Sequence, residues 1–181
     1  MFSTVLRHSF ALAQTAPVVF VQYLVSLAIV EGVKTYEPPY RHFPIKLKWP
    51  NDIYARHRSG CRSSQPGEAE NEYVKIGGIL VNSTYMGGDY TLVVGVGLNV
   101  ANDAPTTSLN SLAAGATPAL PAFQTEKLLA RILSCFQALY KVFCQQGWSK
   151  ELEGKYYEYW LHGYVSSLFG YLFRNFDYLS K

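Results

Sequence analysis

Two short stretches hold the residues best suited to chemistry. In Lys46-Leu47-Lys48-Trp49-Pro50-Asn51-Asp52-Ile53-Tyr54 an apolar–basic alternation stops at a proline, and an amide and a carboxylate follow at once. In Lys75-Ile76-Gly77-Gly78-Ile79-Leu80 an amine leads into two glycines inside a strand pattern. Pro50 has no N–H and restricts the residue before it, so strand pairing ends there. Asn51 and Asp52 then sit at a strand end, where functional loops gather, although Pro-Asn-Asp is also ordinary turn chemistry. Glycines in a strand let another group approach the backbone, and they also mark plain bulges. If the two stretches form a hairpin, Lys75 folds back near Tyr54 and Asp52. An amine, a carboxylate and bare backbone then share one pocket, which suits an anionic substrate. Lys48 lies on the strand side opposite Ile45, Leu47 and Trp49; alternation gives its side but not whether that side faces a pocket.

A third stretch, Gly95-Val96-Gly97-Leu98-Asn99, has part of a nucleotide-binding glycine loop. The third glycine of GxGxxG is missing, because Val100 holds its place, and no helix follows directly. Asn99 at the strand end could still read an adenine edge with its amide. Other chemistries lack their signatures. Histidines 8, 42, 57 and 162 are scattered without HExxH or paired ligand spacing, so no metal site is expected. No GxSxG elbow is present. Cys61, Cys135 and Cys144 form no CxxC pair, so a reducing, cytoplasmic compartment fits better than a disulfide framework. Cys135 reads as core packing.

The elements that would position these residues follow from pattern. The chain has 181 residues, of which 49% are hydrophobic and 16% charged, enough for one domain with its own core. A net charge of +3 does not argue for a nucleic-acid partner. The apolar run 16–30 contains Pro17, Gln22 and Ser26 and stops at Glu31; it is short for a membrane span and reads as a buried helix rather than a targeting segment. A strand is predicted over 2–8 and a helix over 13–36, with Thr15 as N-cap and Pro17 in the first turn. The strand Ile45–Trp49 should place Trp49 in the core. Residues 55–73 read as a mobile polar insertion. Strands 75–85 and 89–100 should turn at Met86-Gly87-Gly88-Asp89, making an antiparallel meander of three with 45–49. A helix over 125–143, capped by Thr125, carries Leu128, Leu129, Ile132, Phe136, Leu139 and Phe143 on one stripe. Another helix is predicted over 149–162.

Taken together, KWPNDIY (48–54), KIGGILVNST (75–84), VGVGLNVAND (94–103) and PTTSLN (105–110) resemble the catalytic domain of biotin–protein ligases of the eukaryotic holocarboxylase synthetase type. Residues 6–33 are similar to the family's segment before KWPND. The resemblance covers residues 2 to 162. It implies an α+β fold, a mixed and mainly antiparallel sheet with packed helices, akin to class II aminoacyl-tRNA synthetases and lipoate ligases. It also implies two steps: biotin attacks the α-phosphate of Mg-ATP to give biotinyl-AMP, and a lysine on the carrier domain of a biotin-dependent carboxylase then takes the biotinyl group. Neither nucleic acid nor membrane enters that scheme. By resemblance Lys75 is the essential lysine, and Asn51 and Asp52 orient phosphate, magnesium or the incoming amine, with Asp52 a candidate base. Gly77, Gly78, Ile79 and Leu80 lie at biotin, Asn99 at adenine, and Lys48 joins the substrate-binding set.

The family's GRGRxG-type loop has no counterpart in the sequence, so the catalytic domain over 1–162 reads as partial and N-terminally truncated. The aromatic-rich stretch 163–181 diverges from the family. Two further readings follow: a non-catalytic remnant that packs with a partner, and a lipoate–protein ligase of the same fold.

Overall fold

The computed structural model describes residues 1–56, 73–102 and 107–161. Its centre is a five-stranded sheet in the order β1-β5-β4-β3-β2. The strands are β1 (Phe2–Ser9), β2 (Ile45–Lys48), β3 (Asp52–Arg56), β4 (Tyr73–Met86) and β5 (Asp89–Leu98). Among the described residues every strand pairing is antiparallel, and an isolated parallel bridge joins Leu47 of β2 to Trp160. The α+β expectation holds. The three-stranded meander is corrected to four consecutive strands, β2 to β5, with β1 returning beside β5. The missed strand is β3: Asp52 does not stay in the turn but opens a strand whose Ile53 and Ala55 are buried. Ala55, Arg56 and Tyr73, assigned to the polar insertion, are strand residues; residues 57–72 lie outside the described set, as do Cys61, His57 and 162–181.

Beyond β1 the chain makes a short helix, α1 (Phe10–Ala13), capped by the Ser9 hydroxyl accepting from the Leu12 N–H. After a 3-10 turn at Val18–Phe20 comes α2 (Val21–Lys34). Thr15 is therefore not its cap: its hydroxyl donates to the Leu12 carbonyl, and Pro17 precedes the 3-10 turn. Helix α2 is buried nearly all round, as a helix squeezed between a sheet and a second helix must be. That second helix is α4 (Thr125–Gln146), whose buried stripe is Leu128, Ile132, Phe136, Leu139 and Phe143, with Leu129 half-buried beside it. Its N-cap position is Gln124 rather than Thr125, and no side chain caps it. The two helices approach closely at Gly32, where a Cβ would lie 2.6 Å from Ile132 Cγ1. Among the described residues two shorter helices follow, α3 (Leu109–Ala114) and α5 (Lys150–Glu158), the latter ending before 162.

Helix α2 covers one face of the sheet, and α4 packs over α2, reaching β1 through Tyr140 and His8. That face carries Leu92, Val94 and Val96 of β5, Ile76 and Ile79 of β4, and Ile53 and Ala55 of β3, all buried. The other face stays open: Val5 is 62% and Leu80 61% exposed. The β4–β5 hairpin closes through Gly87 and Gly88 at φ 66° and 92°, the conformation a two-residue loop with two positive φ angles requires. Among the described residues no helix is long and apolar enough to cross a membrane.

Candidate active site

The open face of the sheet becomes a site where β3, β4 and β5 meet. Asp52 pairs with Gly78, and Gly78 pairs in turn with Gly97. Between Ile53 and Tyr54 the register slips, so that Ile53 opposes Gly77 and Tyr54 opposes Lys75. This β-bulge brings Lys75 to the same side of the sheet as Gly78 and Asp52. Lys75 Nζ lies 2.7 Å from Asp52 Oδ1. The two side chains are 53% and 27% exposed, so the pair adds at most about 1 kcal/mol to stability. Its value is chemical: an ammonium held in place beside a carboxylate at the wall of a cavity.

That cavity, of about 560 Å³, is lined by Asn51, Asp52, Lys75, Gly78, Ile79 and Leu80 together with Met1, Phe2, Ser3, Gly95, Val96 and Gly97. Six of the sequence-derived site residues are thus brought together. Ile79 and Val96 are 3% and 1% exposed with side chains in the core, so they offer the cavity their backbone. Leu80 supplies an apolar wall. A Cβ at Gly78 would lie 3.4 Å from Asp52 Oδ1 and 3.8 Å from Lys75 Cε, close against the charged pair. Sequence reasoning set Gly95 and Gly97 aside as an incomplete nucleotide loop. The register shows their use: with Gly78 they make a floor of bare backbone across two strands. A Cβ at Gly97 would meet nothing within 4 Å, so no protein contact requires glycine there. A flat ligand lying on the strands would.

The remaining site candidates lie apart from this cavity. Gly77 does not line it; a Cβ there would sit 2.6 Å from the Gly97 carbonyl oxygen, which is a backbone reason for glycine. Lys48, opposite Asp52, holds its Nζ 5.2 Å from the centre of the Tyr54 ring. Asn99 donates its N–H to the Ile76 carbonyl at 2.7 Å and its side-chain amide to the Thr107 carbonyl at 3.5 Å. Thr107 in turn lines a second cavity, of about 610 Å³, with Arg56, His42 and Ser111. Trp49 is not in the core. The strand ends at Lys48, the Trp49–Pro50 bond is cis, and Trp49 is 45% exposed with its indole N–H donating to the Tyr23 hydroxyl. Among the described residues no three His, Cys, Asp or Glu side chains cluster as a metal site. Cys135 and Cys144 are free and half-buried, and burial raises both thiols above their usual range.

The fold is thus an antiparallel sheet backed by helices on one face, with the Lys75–Asp52 pair and Gly78, Gly95 and Gly97 on the other. Residues 1–99 match the biotin/lipoate A/B protein ligase family, and the chain belongs to that family. It is 40% identical over 153 residues to the biotin–protein ligase of Schizosaccharomyces pombe, covering 82% of this chain and 24% of that protein. It is 36% identical over 147 residues to the human biotin–protein ligase, covering 79% of this chain and 18% of that one. The chain thus spans a quarter or less of these two relatives. Among solved structures, the fold is similar to the Aquifex aeolicus biotin protein ligase in complex with biotin and ATP, at TM-score 0.55 and 19% identity, over 88% of this chain and 58% of that one. The Leishmania major biotin protein ligase in complex with biotinyl-5-AMP gives TM-score 0.55 and 18% identity, over 91% and 65%.

Proposed function

We propose that this chain carries the biotin-activating site of a biotin–protein ligase. The observation that carries the reading is the Lys75–Asp52 pair at the wall of a cavity floored by Gly78, Gly95 and Gly97. In the first step a biotin carboxylate oxygen bonds to the α-phosphorus of ATP and pyrophosphate leaves. Two anions must meet, so positive charge has to be positioned beforehand. Lys75 supplies it once it turns from Asp52 to the ligand. Biotin's fused rings lie flat on the glycine floor against Leu80. In the second step a lysine amine of a carboxylase carrier domain attacks the acyl carbon, and AMP leaves. That amine must first lose a proton, and Asp52, released from Lys75, is placed to accept it.

Magnesium would enter with ATP, and Asp52, the carboxylate among the described residues that line the cavity, would hold it beside the phosphates and help neutralise their charge. Asn99 near Thr107 is the adenine contact in this reading, and Lys48 lies along the phosphate path. A cytoplasmic location accords with the free thiols of Cys135 and Cys144.

The test is ATP- and biotin-dependent labelling of a carrier domain, read with streptavidin, beside biotin-dependent pyrophosphate exchange into ATP. Labelling with biotin but not lipoate supports the reading; lipoate transfer instead would replace it with the lipoate alternative. Asp52→Asn should slow transfer from preformed biotinyl-AMP, and near-normal transfer would end its role as base. The exposed Val5 and Leu80 on the open face favour one second reading, a partner-binding remnant. Robust labelling by the chain alone would rule that out.

A further inference from the structure

We propose that Asn51 is a positioning residue: its side chain serves as a surrogate rung of the β3–β4 ladder and holds Asp52 against Gly78 and Lys75, rather than binding phosphate itself. The inference rests on the biotin-activation reading above.

Strand β3 starts at Asp52, whose partner is Gly78. One residue earlier the chain is already in the Trp49–Asn51 turn. The ladder nevertheless runs on. The Ile79 N–H donates to the Asn51 carbonyl at 2.9 Å. In a regular antiparallel pair the return bond would come from a backbone N–H. Here the Asn51 carboxamide makes it, Nδ2 donating to the Ile79 carbonyl at 2.8 Å. Asn51 therefore grips both backbone groups of Ile79, the residue that follows Gly78 and has its side chain in the core.

This grip sets the geometry of the reacting groups. Asp52 is the next residue, and its Oδ1 lies 2.7 Å from Lys75 Nζ. The Asn51 carbonyl oxygen and Asp52 Oδ1 both border the space over Gly78, at 3.8 and 3.4 Å from where a Cβ would be. A turn that came away from β4 would carry the carboxylate with it. Few side chains could substitute. Aspartate has the shape of asparagine but no donor, alanine has neither donor nor reach, and glutamine is a methylene too long.

The test uses the full chain and four proteins: wild type, Asn51→Ala, Asp52→Asn and the double variant. A residue acting through Asp52 should lower kcat for biotin- and ATP-dependent labelling of a carrier domain, which includes the transfer step Asp52 serves, by roughly ten- to a hundredfold, as misplacement does. The KM for biotin and for ATP should change little. The double variant should be no slower than Asp52→Asn alone, because the two residues act as a unit. A raised KM with unchanged kcat, or losses that multiply, would overturn the proposal and make Asn51 a substrate ligand. If wild type shows no labelling, the biotin-activation reading fails, and the clip is tested by NMR. Asn51→Ala should then speed hydrogen exchange at the Ile79 amide and shift the Lys75 Nζ resonance. No change in either would overturn the clip.

Discussion

Gly97→Ala separates what the fold needs from what a ligand needs. A Cβ at this position meets no atom within 4 Å, and Gly97 has no positive φ. Alanine should therefore fit without strain. Replacing a strand glycine removes backbone freedom from the unfolded chain and should stabilise by about 0.5–1 kcal/mol. For a chain of this size that corresponds to a rise in Tm of roughly 1–4 °C. The added methyl, however, stands on the cavity floor beside Gly78. A flat ring resting there must lift or tilt, and overpacking of this kind costs about 1–3 kcal/mol, or roughly a tenfold to hundredfold loss of affinity. Urea unfolding and biotin calorimetry measure the two effects on the same protein. Gly77→Ala is the internal control: its Cβ would sit 2.6 Å from the Gly97 carbonyl, so it should destabilise. Unchanged biotin affinity in a stabilised Gly97→Ala would refute the glycine floor. A loss of stability in Gly97→Ala would refute the packing argument itself.

Lys75→Ala should cut kcat for biotin activation by about 10²–10³-fold, corresponding to about 3–4 kcal/mol of barrier, with little loss of stability because the pair is half exposed; steady-state pyrophosphate exchange and thermal unfolding check both halves. Gly32→Val should destabilise by about 1–3 kcal/mol, read by urea unfolding, since its Cβ would strike Ile132 where α2 and α4 meet. His8 is buried, with Nε2 2.8 Å from the Ala16 carbonyl and Nδ1 2.8 Å from the Tyr140 hydroxyl. Burial lowers its pKa, so the unfolded chain takes up a proton first as pH falls. Stability should be full above about pH 6.5 and decline below it. His8→Gln should flatten that slope in urea midpoints measured from pH 8 to 5.

How much could be read beforehand varied with the physics of each element. Helix α4 was legible because only one stripe of it is buried, and such a stripe has a period. The β4–β5 hairpin was legible because two adjacent glycines supply the positive φ angles its turn requires. Helix α2 was found but its start was misplaced: burial on nearly all sides leaves no phase, and its N-cap position is Phe20, with no side-chain cap to mark it. Strand β3 was hidden because Pro-Asn-Asp reads as a turn, and the turn in fact ends one residue sooner. The pairing of Asp52 with Lys75 was foreseeable from hairpin geometry. The floor was not, since Gly95 and Gly97 join Gly78 only through a register that no local pattern records.

The bulge beside Ile76 bears on how this site can change over evolution. Lys75 and Gly78 are three residues apart yet share a face, and Ile76 and Ile79, also three apart, are both buried. In an uninterrupted strand an odd separation puts two residues on opposite faces. The spacing thus records a phase slip in the pleat. Deleting one residue between them would remove the slip and leave the two an even interval apart, still on the open face. What such a deletion takes away is the bulge, and with it the local bend of β4 that aims Lys75 at Asp52. The extra residue thus controls how the amine is aimed rather than which face it stands on.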